Sequence, residues 1–195
     1  KRQGYYYPDS TIAGFSHTHL SGTGAGDLYD ISYMPVTLPY REAEAPLGIH
    51  SKFRHSDEEA SAGYYRVLLK DYNINVELTA TERCGIQRYT FPKAQSAVFL
   101  NLKKAMNWDF TQDSHIEVVD SCTIQGYRFS DGWARGQRVF FRTRFSKPFR
   151  SSEIDTTAII QDGKTIGTAY VARFNFDTTD GEEIVLCTAL SGVSM

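Results

Sequence analysis

The sequence predicts an all-β protein, an antiparallel β-sandwich, and three observations carry that prediction. Apolar and polar residues alternate with period two over several stretches. Short strand-like runs recur along the chain, separated by turn-forming residues. The 195 residues include 12 Tyr and 12 Phe, side chains that suit a pleated, half-buried surface.

The clearest strand lies at 74–81, where Ile74, Val76, Leu78 and Ala80 fall on one face and Asn75, Glu77, Thr79 and Thr81 on the other. It follows a second run at 63–69, with Asp71-Tyr72-Asn73 between them, so the two are expected to form a hairpin. Further strands are expected at 88–91, 97–102, 116–119, 122–129, 137–145, 157–161, 165–176 and 183–190. Asp162-Gly163 and Asp180-Gly181 read as tight turns. Residues 93–108 also carry a helical stripe of Ala94, Val98, Leu102 and Met106, but the run Ala97-Val98-Phe99-Leu100 favours a strand there. No repeat or linker interrupts the chain, so one domain over 1–195 is expected.

A formal net charge of −2 argues against a nucleic-acid partner, which would call for a basic face. The nearest candidate runs from Arg135 to Arg150 and reads as the solvated side of a strand. No segment approaches the ~18 consecutive apolar residues of a membrane-spanning helix. The three cysteines, Cys84, Cys122 and Cys187, form no CxxC pair, so a zinc site is not expected. They are expected to be small buried apolar groups, with one disulfide left open. Lys1 at the start and Met195 just after a strand-like run suggest a piece of a longer polypeptide.

The segment 14–30, GFSHTHLSGTGAGDLYD, is the chemical centre of the sequence. His17 and His19 are two apart, a spacing that on a strand places both on one face. The glycines that follow let backbone amides approach a polar ligand. Together these groups suit sugar hydroxyls, which donate and accept hydrogen bonds. Two imidazoles with Asp27 or Asp30 could instead hold a metal, or each His could bond the backbone of a packed loop. A phosphate loop is disfavoured, since no Lys-Ser/Thr follows the glycines. Glu58-Glu59 and the cluster at 180–183 lie in turn-like contexts and read as solvated charge. Trp108 and Trp133 are the two tryptophans, and each reads either as part of a core or domain interface or as a surface for stacking on a sugar; Trp133, in Asp131-Gly132-Trp133, reads as loop-borne.

The motif at 14–27, with Asp30-Ile31 and Met34-Pro35, resembles a hallmark of family 92 glycoside hydrolases. So do Ala60-Ser61-Ala62-Gly63-Tyr64-Tyr65, Gly126-Tyr127-Arg128, Gly132-Trp133-Ala134, Phe145-Ser146-Lys147-Pro148-Phe149 and the stretch from Phe176 to Ser191. The resemblance runs in order along nearly the whole chain. It implies the N-terminal sandwich of a calcium-dependent, inverting exo-α-mannosidase acting on mannose-containing glycans. The family places its catalytic acid, base and calcium surroundings mainly on a C-terminal (α/α)6-type domain. This chain is therefore expected to hold no catalytic residue and no metal itself. By the same resemblance the substrate-contacting residues are His17, Thr18, His19, Ser21, Gly22, Gly24 and Asp27, to which the loop position of Trp133 adds that residue. The family often has Tyr-Gly where Leu28-Tyr29 stand and Cys where Ala25 stands. Its habit of secretion implies a periplasmic or cell-surface location. Two other readings of the residues are an autonomous carbohydrate-binding module and a purely structural sandwich.

Overall fold

The computed structural model describes residues 5–19, 28–40, 48–105 and 108–195, the side chain of His19 excepted. Two antiparallel sheets face one another. The larger has eight strands, in the order β11 (Phe110–Asp120), β12 (Thr123–Asp131), β13 (Gln137–Phe145), β16 (Glu182–Ser191), β9 (Cys84–Phe91), β8 (Ile74–Ala80), β7 (Tyr64–Leu69) and β6 (Glu58–Ser61). The smaller has four, in the order β14 (Ser151–Gln161), β15 (Lys164–Thr178), β10 (Ala94–Asn101) and β4 (Ser32–Thr37). Two short ribbons complete the described strands: β1 (Thr11–Ile12) with β5 (Ser51–Lys52), and β2 (Thr18–His19) with β3 (Leu28–Asp30).

Period-two alternation builds the core. Val67, Ile74, Val76, Tyr89, Phe91, Phe141, Phe145, Ile184 and Leu186 from the large sheet meet Val98, Leu100, Phe174 and Phe176 from the small one, all nearly inaccessible to water. Phe145 sits 5.4 Å from Phe174 between ring centroids, and Tyr33 joins the layers through a 2.6 Å hydrogen bond between its hydroxyl and that of Thr143. At one margin the sheets are stitched together by side chains. The Ser114 hydroxyl donates to the Thr168 carbonyl (3.2 Å) and accepts from Tyr170 N–H (2.9 Å), while Asp113 Oδ1 accepts from Thr168 N–H at 2.9 Å.

The 93–108 region contains the expected strand as β10. The expected hairpin is β7–β8, with Asn73 at φ +52° in its turn. Several boundaries differ. The strands expected at 116–119 and 157–161 extend to 110–120 and 151–161, because pairing with β12 and β15 sustains polar stretches that show no apolar alternation. Glu58 and Glu59 lie on β6 rather than in a turn, and Glu58 accepts a 2.6 Å hydrogen bond from Tyr65. All three cysteines are free thiols, and none is fully buried: Cys84 and Cys122 are half-buried and Cys187 is exposed. Cys187 lies on the outer face of β16, which is open to solvent. The basic run resolves into Arg138, Arg142 and Arg144 on the outer face of β13, all exposed. Among the described residues no helix is long and apolar enough to cross a membrane.

Candidate functional site

Antiparallel pairing gathers one set of strand ends at a single end of the large sheet. They are the end of β8, the start of β9, the start of β13 and the end of β16. On β8 the inner-face residues lose cover along the strand: Ile74 and Val76 are fully buried, Leu78 is half-buried and Ala80 is exposed. An open groove of about 750 Å³ lies there, lined by Leu78, Ala80, Arg138 and Leu190 together with His17 and Thr18.

His17 is fixed as a wall of that groove. Its backbone N–H donates to the Asp30 carbonyl (3.0 Å), and its Nδ1 lies 2.7 Å from the Ile31 carbonyl. A carbonyl only accepts, so Nδ1 carries the proton. In the neutral ring Nε2 is then an unprotonated acceptor, and it is buried with no hydrogen-bond partner among the described residues. Burial lowers the imidazole pKa, opposed by the Ile31 carbonyl. The ring packs edge-on to Tyr33 at 5.8 Å and occupies the space over Gly85, where a Cβ would stand 2.5 Å from Cδ2 and 2.8 Å from Nε2.

Thr18 is held from the other side. Its hydroxyl donates to Asp30 Oδ2 and accepts from Asp30 N–H at 3.3 Å. Asp30 Oδ1 binds Arg128, whose second terminal nitrogen binds Asp109. Arg128 Nε donates to the Leu102 carbonyl (3.2 Å) and to the Thr111 hydroxyl (3.0 Å), and Ser130 donates to Asp109 at 2.8 Å. Arg128 is 0% exposed, Asp30 1% and Asp109 3%. Burial pushes the Asp109 carboxyl up, with Arg128 pulling the other way. Two buried carboxylates around one guanidinium form a positioning device, and neither faces the groove as a free acid or base.

The chain leaving the motif is strained. Leu28, Tyr29 and Ile31 have φ of +69°, +87° and +51°, a region that costs a non-glycine residue on the order of 1–3 kcal/mol each. Tyr29 stands where the family resemblance leads one to expect Gly, the residue that takes this conformation most readily. Such strain persists only where surroundings over-determine it, and the ties from Asp30 to Thr18 and Arg128 supply that constraint.

Trp133 lies on the β12–β13 turn, 69% exposed, with its ring centroid 6.4 Å from that of Trp108, itself 60% exposed. Of the other expected contact residues, Ser21, Gly22, Gly24 and Asp27 lie outside the described residues, as does the side chain of His19. Arg128, Asp109 and Gly85 carry the site without having been singled out as site residues from sequence. Among the described residues no three His, Cys, Asp or Glu side chains come together to hold a metal ion.

Residues 1–191 match the family model described as the glycosyl hydrolase family 92 N-terminal domain. The chain belongs to family 92 of the glycoside hydrolases. It is similar to the GH92 α-mannosidase BT3965 from Bacteroides thetaiotaomicron, solved in complex with mannoimidazole, at 32% identity and a TM-score of 0.85. That match covers 99% of this chain and 27% of that one. The GH92 inverting mannosidase BT2199 from Bacteroides thetaiotaomicron VPI-5482 shares the fold at 22% identity and a TM-score of 0.75, over 97% of this chain and 25% of that one. This family 92 sandwich therefore spans about a quarter of the length of those solved relatives. A search of curated proteins returned no match.

Proposed function

We propose that the chain forms the sandwich half of the sugar site of an exo-α-mannosidase, with the acid and base supplied by a C-terminal (α/α)6-type domain. The observation that carries this reading is the mounting of the His17–Thr18 segment on a rigid sheet end beside an open groove, in a chain of this family. An inverting hydrolase needs two carboxyl groups roughly 6.5–9.5 Å apart with water between them. The buried carboxylates of the described site, Asp30 and Asp109, are both bound to Arg128, so the pair is sought elsewhere in the enzyme.

Calcium, an inverting course, mannose-containing glycans as substrate and a periplasmic or cell-surface location are parts of the same proposal. Among the described residues no three Asp, Glu, His or Cys side chains come together around a position for the ion. The role of this chain is to position: His17, Thr18, the segment that follows them and Trp133 shape the sandwich wall of the cleft. The test is mannose release from an α-mannoside by the full-length protein, with the anomer of the product followed by NMR. Release of β-mannose supports the reading. Absence of any mannosidase activity, with and without calcium, overturns it.

A further inference from the structure

We propose that Trp108 and Trp133 form one platform that binds a sugar ring of the glycan other than the terminal mannose. The proposal rests on the mannosidase reading for the identity of the sugar and on the following geometry for the platform.

Tryptophan is a large apolar side chain that normally buries most of its surface. Here two are exposed, at 60% and 69%, and they adjoin each other with centroids 6.4 Å apart and planes tilted by 39°. Phe110, 47% exposed, follows closely after Trp108. The mount beneath them is stiff. Asp109, next to Trp108, is held by Arg128 and Ser130. Asp131 fixes the turn that carries Trp133: its Oδ1 accepts from Gly136 N–H at 2.6 Å and its Oδ2 from Gln112 at 3.3 Å. Within the turn Gly132 N–H donates to the Ala134 carbonyl at 3.0 Å.

A rigid aromatic surface loses little conformational entropy when it binds. Its negative face suits the polarised C–H groups of a pyranose. Arg135, exposed on the same turn, adds N–H donors for hydroxyls. The size is also decisive. Two indoles exposed to this extent present roughly 200–300 Å², enough for one or two sugar rings and well below the ~800 Å² per partner of a stable protein interface. The turn leads directly into β13, whose Arg138 and Val139 are among the residues lining the groove, so a glycan whose end enters the groove can lie across the pair.

The test uses the full-length protein and its Trp108→Ala and Trp133→Ala variants. Mannose release is measured from methyl α-mannoside and from a linear α-mannotetraose, and indole fluorescence is titrated with the tetraose. The expected result is unchanged turnover of the methyl glycoside by Trp108→Ala, a rise of at least fivefold in KM for the tetraose in both variants, and a saturable blue shift in the wild type that both variants lack. Wild-type kinetics on both substrates in either variant, or an equal loss on both in Trp108→Ala, overturns the platform. If the wild type releases no mannose from either substrate, the mannosidase reading fails. The fluorescence titration then decides the platform alone, and absence of a saturable shift overturns it.

Discussion

The imidazole of His17 occupies the volume that a side chain at position 85 would need. A Cβ built on Gly85 stands 2.5 Å from His17 Cδ2, so the glycine in β9 is what allows the motif to lie flat on the sheet end. Gly85→Ala is expected to push the ring outward and to loosen its hydrogen bond to Ile31. Overpacking of this kind costs roughly 1–3 kcal/mol. Denaturant melts would register that loss, and mannoside turnover by the full-length protein should fall by more than the stability change explains. Unchanged turnover with intact folding would separate His17 from the site.

His17 also gives the fold a signed pH dependence. Burial lowers its pKa below the ordinary value of 6.5. As pH falls below 6.5 the unfolded chain takes up a proton that the folded chain refuses, so stability declines until the folded value is passed. Tyr33, the titratable ring facing it, is pushed upward by burial and does not titrate in this window. Urea midpoints at pH 5 and pH 7.5 should differ, and the difference should shrink in His17→Gln. An equal difference in both proteins would remove His17 as its source.

Arg128 lies between Asp30 and Asp109 with no access to solvent. Arg128→Met leaves two buried carboxylates without a counter-ion, and breaking a buried pair in this way costs about 3–5 kcal/mol. Adding Asp30→Asn and Asp109→Asn removes the buried charge and should recover part of the loss. Equilibrium unfolding of the single and triple variants tests this. A triple variant no more stable than the single one would show that the guanidinium's hydrogen bonds, rather than the charge, dominate.

Thiol chemistry provides an independent check on the sheet faces. Three free cysteines, of which only Cys187 is exposed, should give three thiols under denaturing conditions without reductant. In the native protein one should react quickly. Fewer than three in the denatured chain would mean a disulfide that the structure does not contain.

The architecture was legible in the sequence because alternation is a local signal. The stretch 74–81 reads as a one-sided strand and is one. The polar ends of β11 and β14 were not legible, since their cover comes from neighbours far along the chain. Arg128 carries a signal in its spacing: Ile124, Gly126, Arg128 and Ser130 share the inner face of β12, and a charge on that face calls for a buried partner. Which partners it takes, Asp30 and Asp109, is a matter of tertiary contact that no spacing encodes. Gly85 is similar, for a glycine within a strand suggests close approach without saying that a histidine 68 positions earlier makes it. The exposure of Trp133 followed from its turn; its pairing with Trp108 needed the hairpin geometry.

The proposal that this sandwich is one half of a mannosidase site separates two polypeptides by their activity. The direct test is mannose release from an α-mannoside, in the presence of calcium, by residues 1–195 alone and by the same polypeptide extended through a following helical domain. Turnover by the extended chain and none by the sandwich is the expected result. Turnover by the sandwich alone would contradict it and would place the acid and base among carboxylates of this chain, with Asp27, Glu58 and Glu59 the first to test.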